Sequence, residues 1–398
     1  MKILLIDDEP FVLKLLARQL NTLGFTDLIL CQSALEAATA FQRKGFTADL
    51  VFCDLQMPGM DGIELIRHMA NCGYAGGLVL VSGEDERILN AAEQLAQAHQ
   101  LAVLGALRKP ISSAQLRQIF QTDVAVPAPE QPQKVYSANE LRKAMKQGEL
   151  VNYYQPKVLL KDGALVGLET LVRWQHPHDG LVCPNQFIPV AEEHGLIHDL
   201  TRLVLHDSLH DLRRWTEANL HLHVAINVSM ENLTSLEFPD FVVQEVLSAG
   251  LPPASLVLEI TESRLMKDRV AAMDVLARLR LKHLGLSIDD FGTGHSSLAQ
   301  LRDVPFDELK VDRGFVNGAC RDVSRQVILE ASLGMARHLG IKTVAEGVEN
   351  KDDWNFLRAM DCDMAQGYFI ARPMPADALP AWARAWEVRR AGLVSSAA

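Results

Sequence analysis

The sequence is poor in the features of secreted, membrane-embedded and nucleic-acid-binding chains. Its six cysteines, Cys31, Cys53, Cys72, Cys183, Cys320 and Cys362, are scattered over 398 residues without one C-x-x-C pair. A disulfide framework is not expected, and free thiols in a reducing cytoplasm fit the pattern. No stretch approaches the ~18 consecutive apolar residues of a transmembrane helix. The apolar start Ile3-Leu4-Leu5-Ile6 meets Asp7 and Asp8 too early for a secretory leader. Positive charge is in the minority, with 39 Lys and Arg against 50 Asp and Glu and a net charge of −11. That argues against a broad nucleic-acid or membrane footprint. It leaves room for a small phosphate-bearing ligand, because bound cations reverse the local sign. Apolar residues make up 48% of the chain, enough for real cores. Length alone suggests two or three domains.

Two series of alternating strand and helix signals stand on either side of a proline-rich stretch. In residues 1–121, apolar runs at 3–6, 28–31, 50–53, 78–81 and 101–105 each precede a segment of helical period. Five strand–helix repeats predict a doubly wound, five-stranded parallel sheet covered on both faces, with ligands at the carboxyl ends of the strands. Residues 122–136, with Pro127, Pro129 and Pro132, read as a semi-rigid linker. Residues 137–388 carry eight strand candidates, at 151–159, 165–173, 223–228, 255–260, 285–289, 307–311, 341–345 and 364–369. Eight strands in ~250 residues is the size of a (β/α)8 barrel. Only Lys161-Asp162-Gly163 separates the first two candidates, which is hairpin chemistry, so the first strand is expected to run antiparallel to the second. Residues 389–398 read as a flexible tail.

Four functional types fall on strand ends of the first series. Asp7 and Asp8 follow the first strand, Asp54 the third, Ser82 ends the fourth and Lys109 follows the fifth. Neighbouring strand ends would gather three carboxylates into a hard-oxygen site for one Mg²⁺. A hydroxyl and an ammonium would then reach a phosphoryl group on Asp54. This set resembles the flavodoxin-like receiver domains of two-component signalling. The resemblance implies Asp54 as phosphoacceptor, Asp7 and Asp8 as Mg²⁺ binders, and Ser82 and Lys109 as phosphoryl contacts. The phosphoryl donor would be a cognate sensor histidine kinase or a phosphotransfer protein. One position departs from the family: Ala106 stands three residues before the lysine, where receivers carry Tyr or Phe.

The second series places polar residues inside or just past apolar strands. Glu169 sits within Leu165 to Trp174, Asn227 ends Val224-Ala225-Ile226, and Glu259 and Glu262 lie in Leu258-Glu259-Ile260-Thr261-Glu262. Asp289 and Asp290 precede Phe291-Gly292-Thr293-Gly294, Lys310 sits in Leu309-Lys310-Val311-Asp312, Glu346 follows Ala345 and Gln366 precedes Gly367-Tyr368. A charge in a buried strand is costly unless paired or metal-bound. Seven strands presenting such groups toward their carboxyl ends make a barrel active site. Oxygen ligands in excess, with no clustered Cys and no required His, favour Mg²⁺ or Mn²⁺ over Zn²⁺. Adjacent Asp289 and Asp290 suit two ions sharing one carboxylate, the arrangement that stabilises attacking and leaving oxygens in phosphodiester cleavage. Lys310, among acids, is placed to hold or help deprotonate the attacking water.

These motifs (Glu169-Thr170-Leu171, Asp289-Asp290-Phe291-Gly292, Lys310-Val311-Asp312, Glu346-Gly347-Val348-Glu349 and Gln366-Gly367-Tyr368) resemble the EAL family of cyclic di-GMP phosphodiesterases over residues 137–388. With a receiver in front, the whole chain is similar to RocR-like response regulators. The resemblance implies metal-dependent hydrolysis of cyclic di-GMP to linear pGpG, modulated by phosphorylation of Asp54. It implies one cation on Glu169, Asn227, Glu259 and Asp289, and a second on Asp289, Asp290 and Glu346. Glu262 would anchor the Asp290 loop and Gln366 a water network. Arg173 would clamp a substrate phosphate, with Gln155 and Leu171 also contacting substrate. A homo-oligomer is implied as well. Two positions depart from the family. Thr170 replaces the signature's middle Ala and is expected to be tolerated. His295 replaces a Tyr in a loop that bears on metal retention and dimer contacts, where it would add pH sensitivity. The complete oxygen set favours an enzyme over the alternative, a non-catalytic cyclic di-GMP sensor acting through a protein partner. His206-Asp207-Ser208-Leu209-His210 and His176-Pro177-His178 mimic metal-binding motifs, and both read better as a polar helix stripe and a loop.

Overall fold

The computed structural model describes residues 1–43, 46–83, 86–121, 134, 136–261, 269–292, 301 and 303–395. Two compact units divide the chain, residues 1–134 and 135–398.

The first unit is a five-stranded parallel sheet of β1 (Ile3–Ile6), β2 (Leu28–Cys31), β3 (Leu50–Asp54), β4 (Gly77–Ser82) and β5 (Ala102–Arg108), in the order β2-β1-β3-β4-β5. Strands β1, β3 and β4 are buried on both faces. This is why they read as unbroken apolar runs rather than as alternation. Helices Pro10–Thr22, Ala34–Phe41, Gly62–Asn71, Glu86–Ala98 and Ser113–Gln121 follow the strands in turn. Asp61 caps the third of them by accepting from the Glu64 amide at 2.8 Å, which ends the loop after Asp54 in a fixed place.

The second unit is a closed barrel. Its ring is β6 (Leu150–Leu159), β7 (Leu165–His176), β9 (His223–Asn227), β10 (Leu256–Thr261), β11 (Gly285–Phe291), β12 (Glu308–Val311), β13 (Lys342–Ala345) and β14 (Met364–Ala365), closing back on β6. Strand β6 is antiparallel to both neighbours, and every other ring contact is parallel. The reversal comes from the turn after Leu159, where Gly163 has φ 70° and its amide bonds the Leu159 carbonyl at 2.8 Å. The expected hairpin is thus present.

Two short strands extend the ring beyond the eight expected: β8 (Gly180–Val182) on β7, and β15 (Met374–Pro375) on β6. The eighth strand is shorter than its apolar run implied. Gly367 lies so close to the Val348 backbone that a side chain there has no room, and the amides of Ile370 and Ala371 close a turn onto the Gly367 carbonyl. At the carboxyl end, helix Leu379–Ser395 runs on through residues expected to be a flexible tail. The buried Trp386 anchors it by donating to the Gly163 carbonyl at 2.7 Å.

The strands are two-faced in a way that explains their sequence. Leu256, Leu258 and Ile260 point outward into the shell beneath the helices, as do Leu286, Ile288, Leu309 and Val311. Their alternates Glu259, Ser287, Asp289 and Lys310 point inward and are equally buried. A period of two therefore separates an apolar outer face from a polar lumen.

Candidate active site

At the carboxyl ends of the strands the lumen opens into a cavity of about 470 Å³. Its walls include Gln155, Glu169, Leu171, Asp289, Asp290, Lys310, Glu346 and Gln366. Lys310, only 1% exposed, is the hub. Its Nζ lies 2.8 Å from Glu346, 3.0 Å from Asp289, 3.1 Å from Glu259 and 3.6 Å from Glu169. The Gln366 amide nitrogen donates to Glu169 at 2.5 Å and to the Gln155 side-chain oxygen at 3.0 Å. Gln155 in turn donates to the Ala371 carbonyl at 3.0 Å. Asn227 donates to the other Glu169 oxygen at 3.1 Å.

Negative charge is in surplus here, and the carboxyl groups show it. Burial pushes Glu346 up to about 8; Lys310 opposes this, while Asp289 and Glu169 add to it. Burial also raises Glu169, Asp289 and Asp290 above the usual carboxylate range. Glu259 behaves differently. Burial works against its charge too, but Lys310 and Lys157 together hold its carboxyl below the ordinary value. Burial acts to lower Lys310, and Glu169, Glu259, Glu346 and Asp289 overcome this, holding its ammonium well above the usual lysine range.

The oxygens fall into two groups able to hold a metal ion: Glu169, Glu259 and Asp289, and Asp289, Asp290 and Glu346. In each, one oxygen from every residue lies within 4.8 Å of the others. Asp289 belongs to both. The donors are hard carboxylates without sulfur, which suits Mg²⁺ or Mn²⁺. Five acidic side chains set against the Lys310 ammonium, with Lys157 shared between Glu259 and Glu308, leave a surplus of negative charge that divalent cations would offset, so the residues present fit the group.

A third oxygen cluster lies in the first unit, formed by Asp7, Asp8 and Asp54. Lys109 Nζ bridges two of its members, 2.7 Å from Asp7 and 2.8 Å from Asp54. Asp54 is 2% exposed, and its Oδ1 has no hydrogen-bond partner among the described residues. Burial raises the Asp54 carboxyl against the pull of Lys109. Ser82, the last residue of β4, is buried on the strand beside β3. Ala106 pairs with Leu80 on the sheet and puts only a methyl group where an aromatic ring was the family expectation.

Residues 138–373, more than half of the chain, match the EAL domain, and residues 3–121 match the response regulator receiver domain. The chain belongs to the EAL family. Its EAL domain stands behind a receiver domain. Along nearly the whole length it is similar to the cyclic di-GMP phosphodiesterase RocR of Pseudomonas aeruginosa, 32% identical over 379 residues that cover 94% of this chain and 96% of RocR. The EAL region is 40% identical over 261 residues to the bifunctional diguanylate cyclase/cyclic di-GMP phosphodiesterase MucR of the same organism. Those residues are 65% of this chain but only 38% of MucR. Among solved structures, the MucR phosphodiesterase in complex with c-di-GMP aligns with a TM-score of 0.58 at 40% identity, covering 61% of this chain and 98% of that one.

The EAL domain brings together Gln155, Glu169, Leu171, Asp289, Asp290, Lys310, Glu346 and Gln366 at one cavity, with Glu259 beneath them. Arg173 is not in that wall. It sits two residues beyond Leu171 on the same strand face, with its guanidinium bonded to the Val172 carbonyl at 2.9 Å and lying 6.0 Å from the Tyr153 ring. Glu262 and His295 lie outside the described residues.

Sequence reasoning missed Lys157, which is 3% exposed and bonded to Glu259 at 3.2 Å and to Glu308 at 2.9 Å. The available signal was a lysine inside the apolar stretch Leu150 to Leu159. Asp312, Arg313, Glu349 and Tyr368 also line the cavity. The two histidine lookalikes are structural. His206 and His210 lie exposed on helix Ile197–Glu217, and His176 pairs with Asp179 at 2.9 Å in its own loop.

Proposed function

We propose that this chain hydrolyses cyclic di-GMP to linear pGpG at the barrel cavity. The observation that carries the reading is the pair of oxygen triads sharing Asp289 around the buried Lys310. Glu169, Asn227, Glu259 and Asp289 would hold one Mg²⁺ or Mn²⁺, and Asp289, Asp290 and Glu346 the other. Bound there, the ions acidify an attacking water and neutralise charge on the phosphodiester. Gln366 orients Glu169 and Gln155, fixing the polar wall on which the substrate lies. Leu171 supplies an apolar contact, and Arg173 swings from the Val172 carbonyl to a substrate phosphate. Glu262 would steady the Asp290 loop.

The acidic side chains around it hold Lys310 Nζ protonated in the metal-free protein. It therefore first acts as a fixed donor that orients water and ligands. When those carboxylates are engaged by cations, its electrostatic support falls and its proton becomes easier to give up.

The receiver would take a phosphoryl group from a sensor kinase or phosphotransfer protein onto an Asp54 oxygen, with one Mg²⁺ on Asp7, Asp8 and Asp54. Lys109 and Ser82 would contact the phosphoryl oxygens. The added charge would then reset barrel activity. The six free thiols, two of them exposed, suit a reducing cytoplasm, and a homo-oligomer is the expected working form.

Product analysis tests the central claim. The full chain with Mg²⁺ or Mn²⁺ is expected to convert cyclic di-GMP to pGpG, and Glu169→Ala to lose this. Tight binding without linear product would mark a sensor instead. Equal rates with and without a phosphoryl mimic on Asp54 would reject the regulatory half.

A further inference from the structure

The lumen below the active-site cavity holds a second, separate layer of charge. Lys157 lies on β6 two residues past Gln155, on the same face and nearer the amino-terminal end of the barrel. Its Nζ takes one Glu259 oxygen at 3.2 Å, while Lys310 takes the other at 3.1 Å. On its far side Lys157 is bonded to Glu308, which begins β12 two residues before Lys310. An unbroken chain of charges therefore climbs the barrel, from the half-buried Glu308 through the buried Lys157, Glu259 and Lys310 to the half-buried Glu346. Lys157 and Glu308 also line a cavity of about 460 Å³ that does not touch the active-site residues.

We infer that Lys157 is a positioning residue for cation binding: by pinning one oxygen of Glu259 from below, it fixes which oxygen faces the site above. The inference rests on the two-cation reading of the cavity. Carboxylate ligands bonded from behind keep their orientation, and losing such a partner typically costs about 10–100-fold in metal affinity. Two effects oppose each other when the ammonium is removed. The site gains negative potential, which favours cations, and Glu259 loses its anchor, which disfavours them. Glu308 decides between them. At 2.9 Å it also pairs with Lys157, so removing the two together leaves the net charge of the lumen unchanged and isolates the anchoring effect.

That balance points to a charge-neutral test. In the full-length double variant Lys157→Met/Glu308→Gln, one cation and one anion leave together and no orphaned charge stays buried. Mn²⁺ binding is followed by the loss of free-ion signal in electron paramagnetic resonance, and turnover is measured across Mn²⁺ concentrations. One of two Mn²⁺ binding steps is expected to weaken at least about tenfold, with kcat at saturating Mn²⁺ within about threefold of the parent. Lys157→Arg, which retains the charge, is expected to recover most of the affinity. The inference is overturned if the double variant binds both ions as the parent does, or if turnover falls at saturating metal while affinity is unchanged. A parent protein that binds no Mn²⁺ would overturn the two-cation reading itself, a different and distinguishable result.

Discussion

Asp290 follows Asp289 directly, yet both carboxylates reach Glu346 on the same side of β11. In a regular strand neighbouring side chains point to opposite faces. Here the pairing with β12 slips between Ile288 and Phe291, and Asp290 adopts φ 55°. The bulge re-aims one side chain so that two consecutive acids serve one site. Asp is among the few residues that tolerate this backbone.

Asp290→Asn separates charge from backbone, since Asn accepts the same conformation. Turnover is expected to fall by about 100-fold or more, beyond the typical loss of an outer-shell partner. The melting temperature should stay within about 3 °C, the shift of roughly 1 kcal/mol in a domain of this size. Asp290→Val, β-branched at positive φ, should instead melt clearly lower. Near-parental activity in Asp290→Asn would remove this residue from the cation site.

Glu346, pushed up to about 8 by burial, carries a proton at neutral pH in the metal-free barrel. A cation must displace that proton. Mn²⁺ affinity should therefore rise with pH, by about tenfold per unit for one proton, and level off above pH 8. The sign for stability is the reverse of the usual carboxylate case. The folded state binds the proton more tightly than the unfolded one, so this group's contribution is present at low pH and fades as pH rises through 8. Calorimetric titrations at pH 7 in buffers of different ionisation enthalpy would report the released proton. No release at that pH would refute the assignment.

Lys310→Met removes the only ammonium in contact with four acids among the described residues. Breaking a buried ion pair costs about 3–5 kcal/mol, so in EDTA the variant should melt well below the parent. Because cations neutralise the same carboxylates, added Mn²⁺ should recover more stability in the variant than in the parent. Identical melting in EDTA would show that the acids shed their charge by protonation alone.

In the receiver, Lys109 occupies Asp7 and Asp54 with its own charge. Lys109→Met should strengthen Mg²⁺ binding there, by up to about tenfold after screening of this partly exposed ammonium. It should also slow phosphorylation of Asp54 by acetyl phosphate, because the phosphoryl group loses its cationic contact. Weaker Mg²⁺ binding in the variant would reverse this account.

Much of this was legible because burial writes itself into sequence. Acids such as Glu169 and Glu259 stand out within apolar strands, since a charge rarely enters such a run without a partner. Asp54, Ser82 and Lys109 were legible through their common place at strand ends. Lys157 carries the same local signal, a charge within an apolar stretch, but its partners Glu259 and Glu308 lie 102 and 151 residues away, so its role beneath the site is not written nearby. The shortness of β14 is hidden for a related reason. Met364 through Phe369 is apolar enough for a strand, and only the close approach of Gly367 to Val348 ends it. Arg173 was read from its family position, and its turn toward Val172 depends on a rotamer that spacing does not encode.

The reversed β6 has a consequence for how force and motion enter the barrel. Leu150 pairs with Trp174 near the carboxyl end of β7, so the polypeptide arrives at the rim that bears the acidic cluster and only then descends to Lys157. A conventional barrel would be entered from the opposite floor. Helix Ala138–Gln147 therefore joins the barrel at the rim end of the strand that carries Gln155, whose partner Gln366 bonds Glu169. Upstream events need not traverse the whole cylinder to disturb its chemistry.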